Sequence, residues 1–329
     1  METKTILVDR NVNKEETYTQ AVELIKNGEL VAFPTETVYG LGADATNPLA
    51  VDKVFEAKGR PSDNPLIVHV DSKETALKYV ENVSDKAIAC MDAFWPGALT
   101  LVMKAKSDTF AGNVTADLQT VGIRVPNHPV ALNFLKRLKL PVAAPSANTS
   151  GKPSPTMAEH VYHDLEGKIP LILDGGATAV GIESTVLDMT SEPPVILRPG
   201  EVTKEQIEQL VGSVRLSSDP KGNTPKSPGM KYIHYAPEAP VYLIENDHSL
   251  VNKAIKYLHD KEKKVAVLSS SEFPEADFYF PLSAKTLYDS LRKCDMSEAD
   301  LILAAVSDDE KNDAMMNRLE RAADHKWFS

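Results

Sequence analysis

Between residues 30 and 200 the chain is a succession of short apolar runs, each with a polar or charged side chain at its end. Leu30-Val31-Ala32-Phe33 leads to Thr35, Leu66-Ile67-Val68 to His69, and Val121-Gly122-Ile123 to Arg124. Pro141-Val142-Ala143-Ala144 leads to Ser146 and Asn148, Ser184 sits beside Val186-Leu187, and Val195-Ile196-Leu197 ends at Arg198. Runs this short, bounded by Pro and Gly, are strands rather than helices. Strand ends are where α/β proteins place ligand groups. Taken singly, each polar residue has an ordinary reading: Asn148 as a turn cap, Arg198 as a surface ion pair, His69 as a satisfied core histidine. The recurrence of the pattern is what points to a site.

Helical spacing fills the gaps. Residues 15–27 place Tyr18, Ala21, Val22, Leu24 and Ile25 on one face, with Gly28 as a C-cap. Further helices are expected over 48–57, 73–79, 84–94, 129–138 and 203–211. Strands outnumber helices and alternate with them irregularly. The expectation is therefore an α/β fold on a twisted mixed sheet, not a regularly doubly wound one.

From Leu216 to Pro237 the composition turns to Ser, Pro and Gly, ending in the aromatic cluster Tyr232-Ile233-His234-Tyr235. Beyond it strand and helix patterns alternate, suggesting a small Rossmann-like three-layer domain. That segment has no glycine after Gly229, hence no Gly-rich phosphate loop, and reads as a cap or partner-docking domain. The expected organisation is a catalytic domain over 1–214, a linker or lid over 215–237 and a C-terminal domain over 238–329. The length of 329 residues suits two domains.

The net charge of −11 is shared by both parts, which argues against a non-specific nucleic-acid binder. The N-terminal stretch Met1-Glu2-Thr3-Lys4 lacks the apolar core of a secretory signal, and no apolar run reaches membrane-spanning length. Cys90 and Cys294, far apart, read as two reduced thiols. The expected location is cytoplasmic.

Several chemistries lack their motifs. Gly176 to Ser184 has no lysine where a P-loop needs one, and no G-x-G-x-x-G opens a helix. His160 and His163 have no carboxylate or cysteine pattern to complete a zinc site, and no G-x-S-x-G elbow exists. What the chain does have is Phe33-Pro34-Thr35-Glu36-Thr37-Val38-Tyr39-Gly40-Leu41-Gly42, where glycines allow a bend or a close approach. Lys58-Gly59-Arg60-Pro61 follows at a helix end. Three cations, Lys58, Arg124 and Arg198, together with hydroxyl and amide donors, suit a triphosphate and a carboxylate.

These residues resemble a known family. Lys58-Gly59-Arg60 followed by Ser146-Ala147-Asn148 is similar to the K-x-R…S-x-N tetrad of the YrdC/Sua5 family, the threonylcarbamoyl-AMP synthases. The 33–41 block, Pro65-Leu66-Ile67-Val68-His69, Trp95-Pro96-Gly97, Val121 to Pro126, Glu183-Ser184-Thr185 and Leu197-Arg198-Pro199-Gly200 resemble it too. Ser227 to Pro237 resembles the linker of the long, two-domain Sua5 form.

The resemblance implies a nucleotidyltransferase with a large concave cavity, making threonylcarbamoyl-adenylate and pyrophosphate from L-threonine, bicarbonate and ATP. Other proteins would then pass the group to adenosine 37 of tRNAs reading ANN codons, giving t6A. Lys58, Arg60, Ser146 and Asn148 would form the catalytic tetrad. L-threonine would be held by Thr35, His69, Arg124, the main chain of Ala144, and Ser184. ATP would be held by Lys58, Arg60, Asn64, Thr120, Ser146, Asn148, Ser154 and Arg198. Mg²⁺ would sit on the phosphates, not in an all-protein cage. Tyr235 would close over the cavity as a lid. The alternative from another class is an RNA-binding or ribosome-assembly protein that uses the same basic cavity without chemistry. A carbamoyl-phosphate-using enzyme is a third reading, weakened by the lack of zinc-finger cysteines.

Overall fold

The computed structural model describes residues 1–9, 15–217, 235–307 and 313–329. The chain divides into two compact units, Met1–Ser150 with Pro155–Lys231, and Gly151–Ser154 with Tyr232–Ser329. The loop Gly151–Ser154 thus groups with the second unit, whereas unbroken segments were expected from the sequence. Residues 218–234, most of the expected linker, lie outside the described residues.

In the first unit the strands are β1 (Lys4–Leu7), β2 (Val31–Phe33), β3 (Gly40–Asp44), β4 (Ile67–His69), β5 (Leu99–Lys104) and β6 (Thr120–Arg124). They are followed by β7 (Val142–Ala143), β8 (Leu171–Asp174), β9 (Thr185–Asp188), β10 (Val195–Arg198) and β11 (Arg215–Leu216). They form one mixed sheet in the order β1-β8-β2-β3-β7-β4-β6-β5-β9-β10-β11. At its centre β4 runs parallel to β6, β5 antiparallel to β6, and β5 parallel to β9.

The helices are α1 (Glu15–Lys26), α2 (Pro48–Lys58), α3 (Lys73–Leu77), α4 (Asp85–Phe94), α5 (Gly112–Thr115), α6 (Pro129–Leu138), α7 (Ala158–Leu165) and α8 (Lys204–Val211). Local chemistry fixes the ends of α2. The Asn47 side chain accepts from the Leu49 and Ala50 N–H groups, and Pro48 occupies the first turn. Gly59, at φ 61°, ends the helix and donates to Glu56 O. That stop delivers Lys58 and Arg60 to fixed places.

Strand alternation sorts the side chains of the central sheet. Val68, Leu101, Ile123 and Leu187 point into the main core with Val51, Val54 and Ile207. On the opposite face a small apolar cluster of Ile67, Val102 and Val186 stands beside buried polar residues. A second core, around Ile25, Phe33, Phe134 and Leu173, packs α1 and α6 near β2 and β8.

One expectation is corrected. Gly40 and Gly42 do not form a bend; they lie inside β3, paired antiparallel with β2. A Cβ on Gly42 would come within 2.8 Å of Val142 Cγ1 and 2.9 Å of Phe33 Cε1, so the glycine permits close strand packing.

The second unit contains β12 (Val241–Glu245), β13 (Val265–Ser269), β14 (Phe278–Pro281) and β15 (Leu301–Val306), all parallel, in the order β12-β15-β13-β14. Its helices are α9 (His248–His259), α10 (Leu287–Met296) and α11 (Asp313–Ala322). Apolar runs such as Leu301–Val306, buried throughout, are what a parallel sheet requires. Each unit holds one free, buried cysteine. Burial pushes the Cys90 thiol up to about 11; burial and the Asp295 charge push Cys294 up to about 12. Among the described residues no helix is long and apolar enough to cross a membrane.

Candidate active site

The lightly covered face of the central sheet collects most of the ligand-type residues. In register, His69 of β4 stands opposite Arg124 of β6, and Ile67 opposite Gly122. Thr100 of β5 joins them, since its methyl is the nearest neighbour, at 3.2 Å, of a Cβ built on Gly122. His69, Arg124 and Thr100 are all buried.

Arg124 is clamped on several sides. Its Nε donates to Gly97 O at 3.0 Å and its Nη1 to Thr37 Oγ1 at 2.9 Å. Its Nη2 lies 2.5 Å from Glu36 Oε1 in a buried ion pair. The other Glu36 oxygen, Oε2, accepts from Asn127 N at 3.0 Å. The main-chain oxygens of Glu36 and Thr37 accept from Val180 N and Gly181 N. The segment after β2 is thereby tied to the end of β6 and to the loop before β9. Within that segment Thr35 Oγ1 is 2.8 Å from Thr37 Oγ1, accepts from the N–H groups of Thr37 and Val38, and donates to Val38 O at 2.7 Å. The Thr35 hydroxyl therefore builds its own turn.

Burial, and then the neighbouring Arg124 charge, lower the pKa of His69 to about 3, against the opposing pull of the Ile67 and Val142 main chain. The ring is neutral at any physiological pH. Its Nδ1 is buried and makes no directed hydrogen bond.

Ser184 Oγ is 2.8 Å from Thr100 Oγ1 and accepts from Arg198 Nη2 at 3.2 Å. Arg198 also grips Ser184 O through Nε and Nη2. Ala144 N donates to Ile67 O, which places Ala144 one strand over from the His69–Arg124 pair. Thr120 lines a narrow cleft with Ile67, Val102, Gly122 and Val186. Asn64 is fully buried, and neither atom of its amide has a hydrogen-bond partner. An amide buried in that state is costly unless a ligand completes it.

The K-x-R and S-x-N motifs also meet. Lys58 Nζ donates to Ser146 O and to Asn148 O, both at 2.5 Å, and Ser150 N returns a bond to Lys58 O. Ser146 Oγ donates to Asn148 Oδ1 at 2.6 Å. Lys58 is thus a buried organiser of the loop after β7, with two of its three donors spent on carbonyls. Arg60 is half-buried, its N–H bound to Phe55 O.

Two expected residues belong to the second unit. Ser154 is buried in the Gly151–Ser154 loop. Tyr235, at φ 68°, is buried and stacks on Tyr288 with ring centroids 5.3 Å apart.

Glu36, Thr37 and Thr100 were not singled out from the sequence as site residues. Glu36 and Thr37 lie inside the quoted 33–42 block, so the block was the available signal; Thr100 carried none.

Known proteins resemble this chain over most of its length. The Sua5_yciO_yrdC family model, described as telomere recombination, matches residues 23–200. A second model, the C-terminal domain of threonylcarbamoyl-AMP synthase, matches 202–324. The threonylcarbamoyl-AMP synthase of Bacillus subtilis (strain 168) is 47% identical over 92% of both chains. That of Pyrococcus abyssi is 45% identical over 93% of this chain and 94% of its own. The crystal structure of P. abyssi Sua5 complexed with L-threonine superposes with a TM-score of 0.92 at 40% identity, covering 100% of this chain and 99% of that one. The chain belongs to the Sua5/YciO/YrdC family and carries the Sua5-type C-terminal domain.

Proposed function

We propose that this protein is an L-threonylcarbamoyladenylate synthase, a nucleotidyltransferase forming threonylcarbamoyl-AMP and pyrophosphate from L-threonine, bicarbonate and ATP. The observation that carries the reading is the convergence of His69, Arg124, Thr100 and Ser184 on one sheet face. The identity to enzymes of that name over nearly the whole chain supports it.

In this reading the amino acid lies against that face. Arg124 receives its carboxylate, and His69 and Ser184 its hydroxyl, with Thr35 shaping the turn beside them. ATP is held by Lys58, Arg60, Asn64, Thr120, Ser146, Asn148, Ser154 and Arg198. The residues assigned to the phosphates are cations and neutral donors, which fit phosphate oxygens and not a bare cation. Mg²⁺ would therefore arrive on ATP and supply charge neutralisation at the phosphates. The neutral threonine amine attacks the bicarbonate carbon, whose C–OH bond breaks so that hydroxide leaves with the proton from nitrogen as water. An oxygen of the resulting carbamate then attacks the α-phosphorus and displaces pyrophosphate. Neither step needs a covalent enzyme intermediate; orientation and preorganised donors carry the rate. Tyr235 is proposed to act as a lid that protects the labile adenylate. A separate transferase would then use the product to form t6A in ANN-decoding tRNAs, in the cytoplasm.

The test is pyrophosphate release from Mg-ATP, with L-threonine and bicarbonate withheld in turn. The reading expects release that needs both and that falls at least about 100-fold in Lys58→Ala. Release with threonine alone would replace it with simple aminoacyl adenylation. No release in any condition would favour RNA binding.

A further inference from the structure

The loop Gly151–Ser154 follows the S-x-N motif closely in sequence yet groups with the second unit. Arg292 of α10 donates from Nη2 to Pro153 O at 2.6 Å. Ala236 N donates to Gly151 O at 2.9 Å, and Lys152 Nζ lies 2.8 Å from Glu238 Oε1. Glu238 N in turn donates to Asp295 Oδ1 at 2.6 Å. Two segments far apart in the chain, 151–154 and 235–238, are thus bonded to each other and to one helix.

That helix meets them with a single stripe. Tyr288, Arg292 and Asp295 are spaced i, i+4, i+7, which puts them on one face of α10. Tyr288 carries the Tyr235 ring, Arg292 the Pro153 carbonyl and Asp295 the Glu238 N–H. The contacts are unequal. The Lys152–Glu238 pair is 34% and 76% exposed and contributes little. Arg292 is 8% exposed, and its bond to Pro153 O is buried. Taking a guanidinium out of water costs more than packing the same face with Met or Leu, so packing alone does not explain a cation here. What the cation does is fix one carbonyl. The Pro153 ring holds its own φ, and the next residue in the chain is Ser154, itself buried.

We propose that Arg292 is a positioning residue for ATP: by holding the Pro153 carbonyl it sets the Ser154 hydroxyl for the nucleotide. The inference rests on the functional reading above, which gives Ser154 to ATP, and adds to it a residue of the second unit. Because Tyr235 rests on the same helix face, the nucleotide loop and the lid residue form one element.

The experiment is calorimetric titration of the full chain with Mg-ATP and, separately, with L-threonine. Arg292→Met keeps the bulk and removes the donor; Ser154→Ala removes the hydroxyl. Each should weaken Mg-ATP about 10-fold, the worth of one hydrogen bond to a charged group, and the double variant should be no weaker than either. L-threonine affinity should be unchanged in all three, and Arg292→Lys should recover part of the loss. Losses that add in the double variant would mean that Arg292 does not act through Ser154, and overturn the proposal. Wild-type affinity for Mg-ATP in Arg292→Met, or equal weakening towards both ligands, overturns it too. If Arg292→Met fails to fold, Arg292→Gln keeps an N–H donor on a shorter stem and should weaken Mg-ATP alone; no difference between the ligands overturns the proposal. Failure of wild type to bind Mg-ATP at all would instead remove the functional reading, and the proposal with it.

Discussion

The two sheets of this molecule handle polarity in opposite ways. In the second unit the parallel strands are apolar on both faces, and the single buried hydroxyl of β13, Ser269, is bonded to Asn246. Its charged residues pair mostly at the surface, as in Lys263–Asp300 and Lys264–Glu298. In the first unit one face of the central sheet is equally apolar, while the other buries Glu36, His69, Thr100, Arg124, Ser184 and Arg198. Burying ionised groups is expensive even when they are paired. In the proposed function that difference is where stability is traded for recognition.

The strongest way to break this contrast is Arg124→Ala. It strands the Glu36 carboxylate in the interior and should cost about 3–5 kcal/mol in urea denaturation, with loss of L-threonine binding. Retained binding would refute the role of that face. Leu303→Ala, in fully buried β15, should cost about 2–4 kcal/mol by opening a cavity, yet leave L-threonine affinity unchanged in the folded protein. A parallel fall in affinity would show that the second sheet is more than scaffold.

Acid gives the smallest and most specific effect. The folded pKa of His69, about 3, lies below the value of 6.5 it has unfolded. Above pH 6.5 the ring is neutral in both states and contributes no pH dependence. Below it the unfolded chain takes up the proton first, so stability falls with pH until about pH 3. Between pH 6.5 and 5 this amounts to roughly 2 kcal/mol at about 1.4 kcal/mol per unit. His69→Gln should remove that part of the slope in urea melts; an unaltered slope would mean that the ring is protonated in the fold.

Much of the scaffold was legible because it is written locally. Residues 129–138 form a helix as expected, since Pro129 suits a first turn and His128 Nδ1 caps Val130 N. Leu99–Lys104 is a strand because its apolar run has no competing helical period. Helix α7 was missed: Met157 at its N-cap makes no side-chain bond, so the usual start signal is absent. Strand β3 was missed because glycines depress strand propensity, while the close packing they permit is set by Val142, a hundred residues away. The site shows the same division. Residue types at strand ends exposed His69, Arg124, Ser184 and Arg198, but what each side chain touches is tertiary. Lys58 read as a cation for phosphate, and nothing in the sequence hinted that it also holds the Ser146 and Asn148 carbonyls. Glu36 stood in the quoted block without a role, because its partner lies at position 124.

The two buried cysteines make the chain nearly inert to thiol reagents. At pH 7 a thiol near pKa 11 is ionised in about one molecule in ten thousand, and the maleimide or disulfide probe must also reach it. A cysteine introduced at Leu49 of α2 or Met296 of α10, both exposed side chains, would then be labelled almost alone. With a dye at each, the spacing of the two units could be followed in solution as substrates are added, with no native residue removed from either interior.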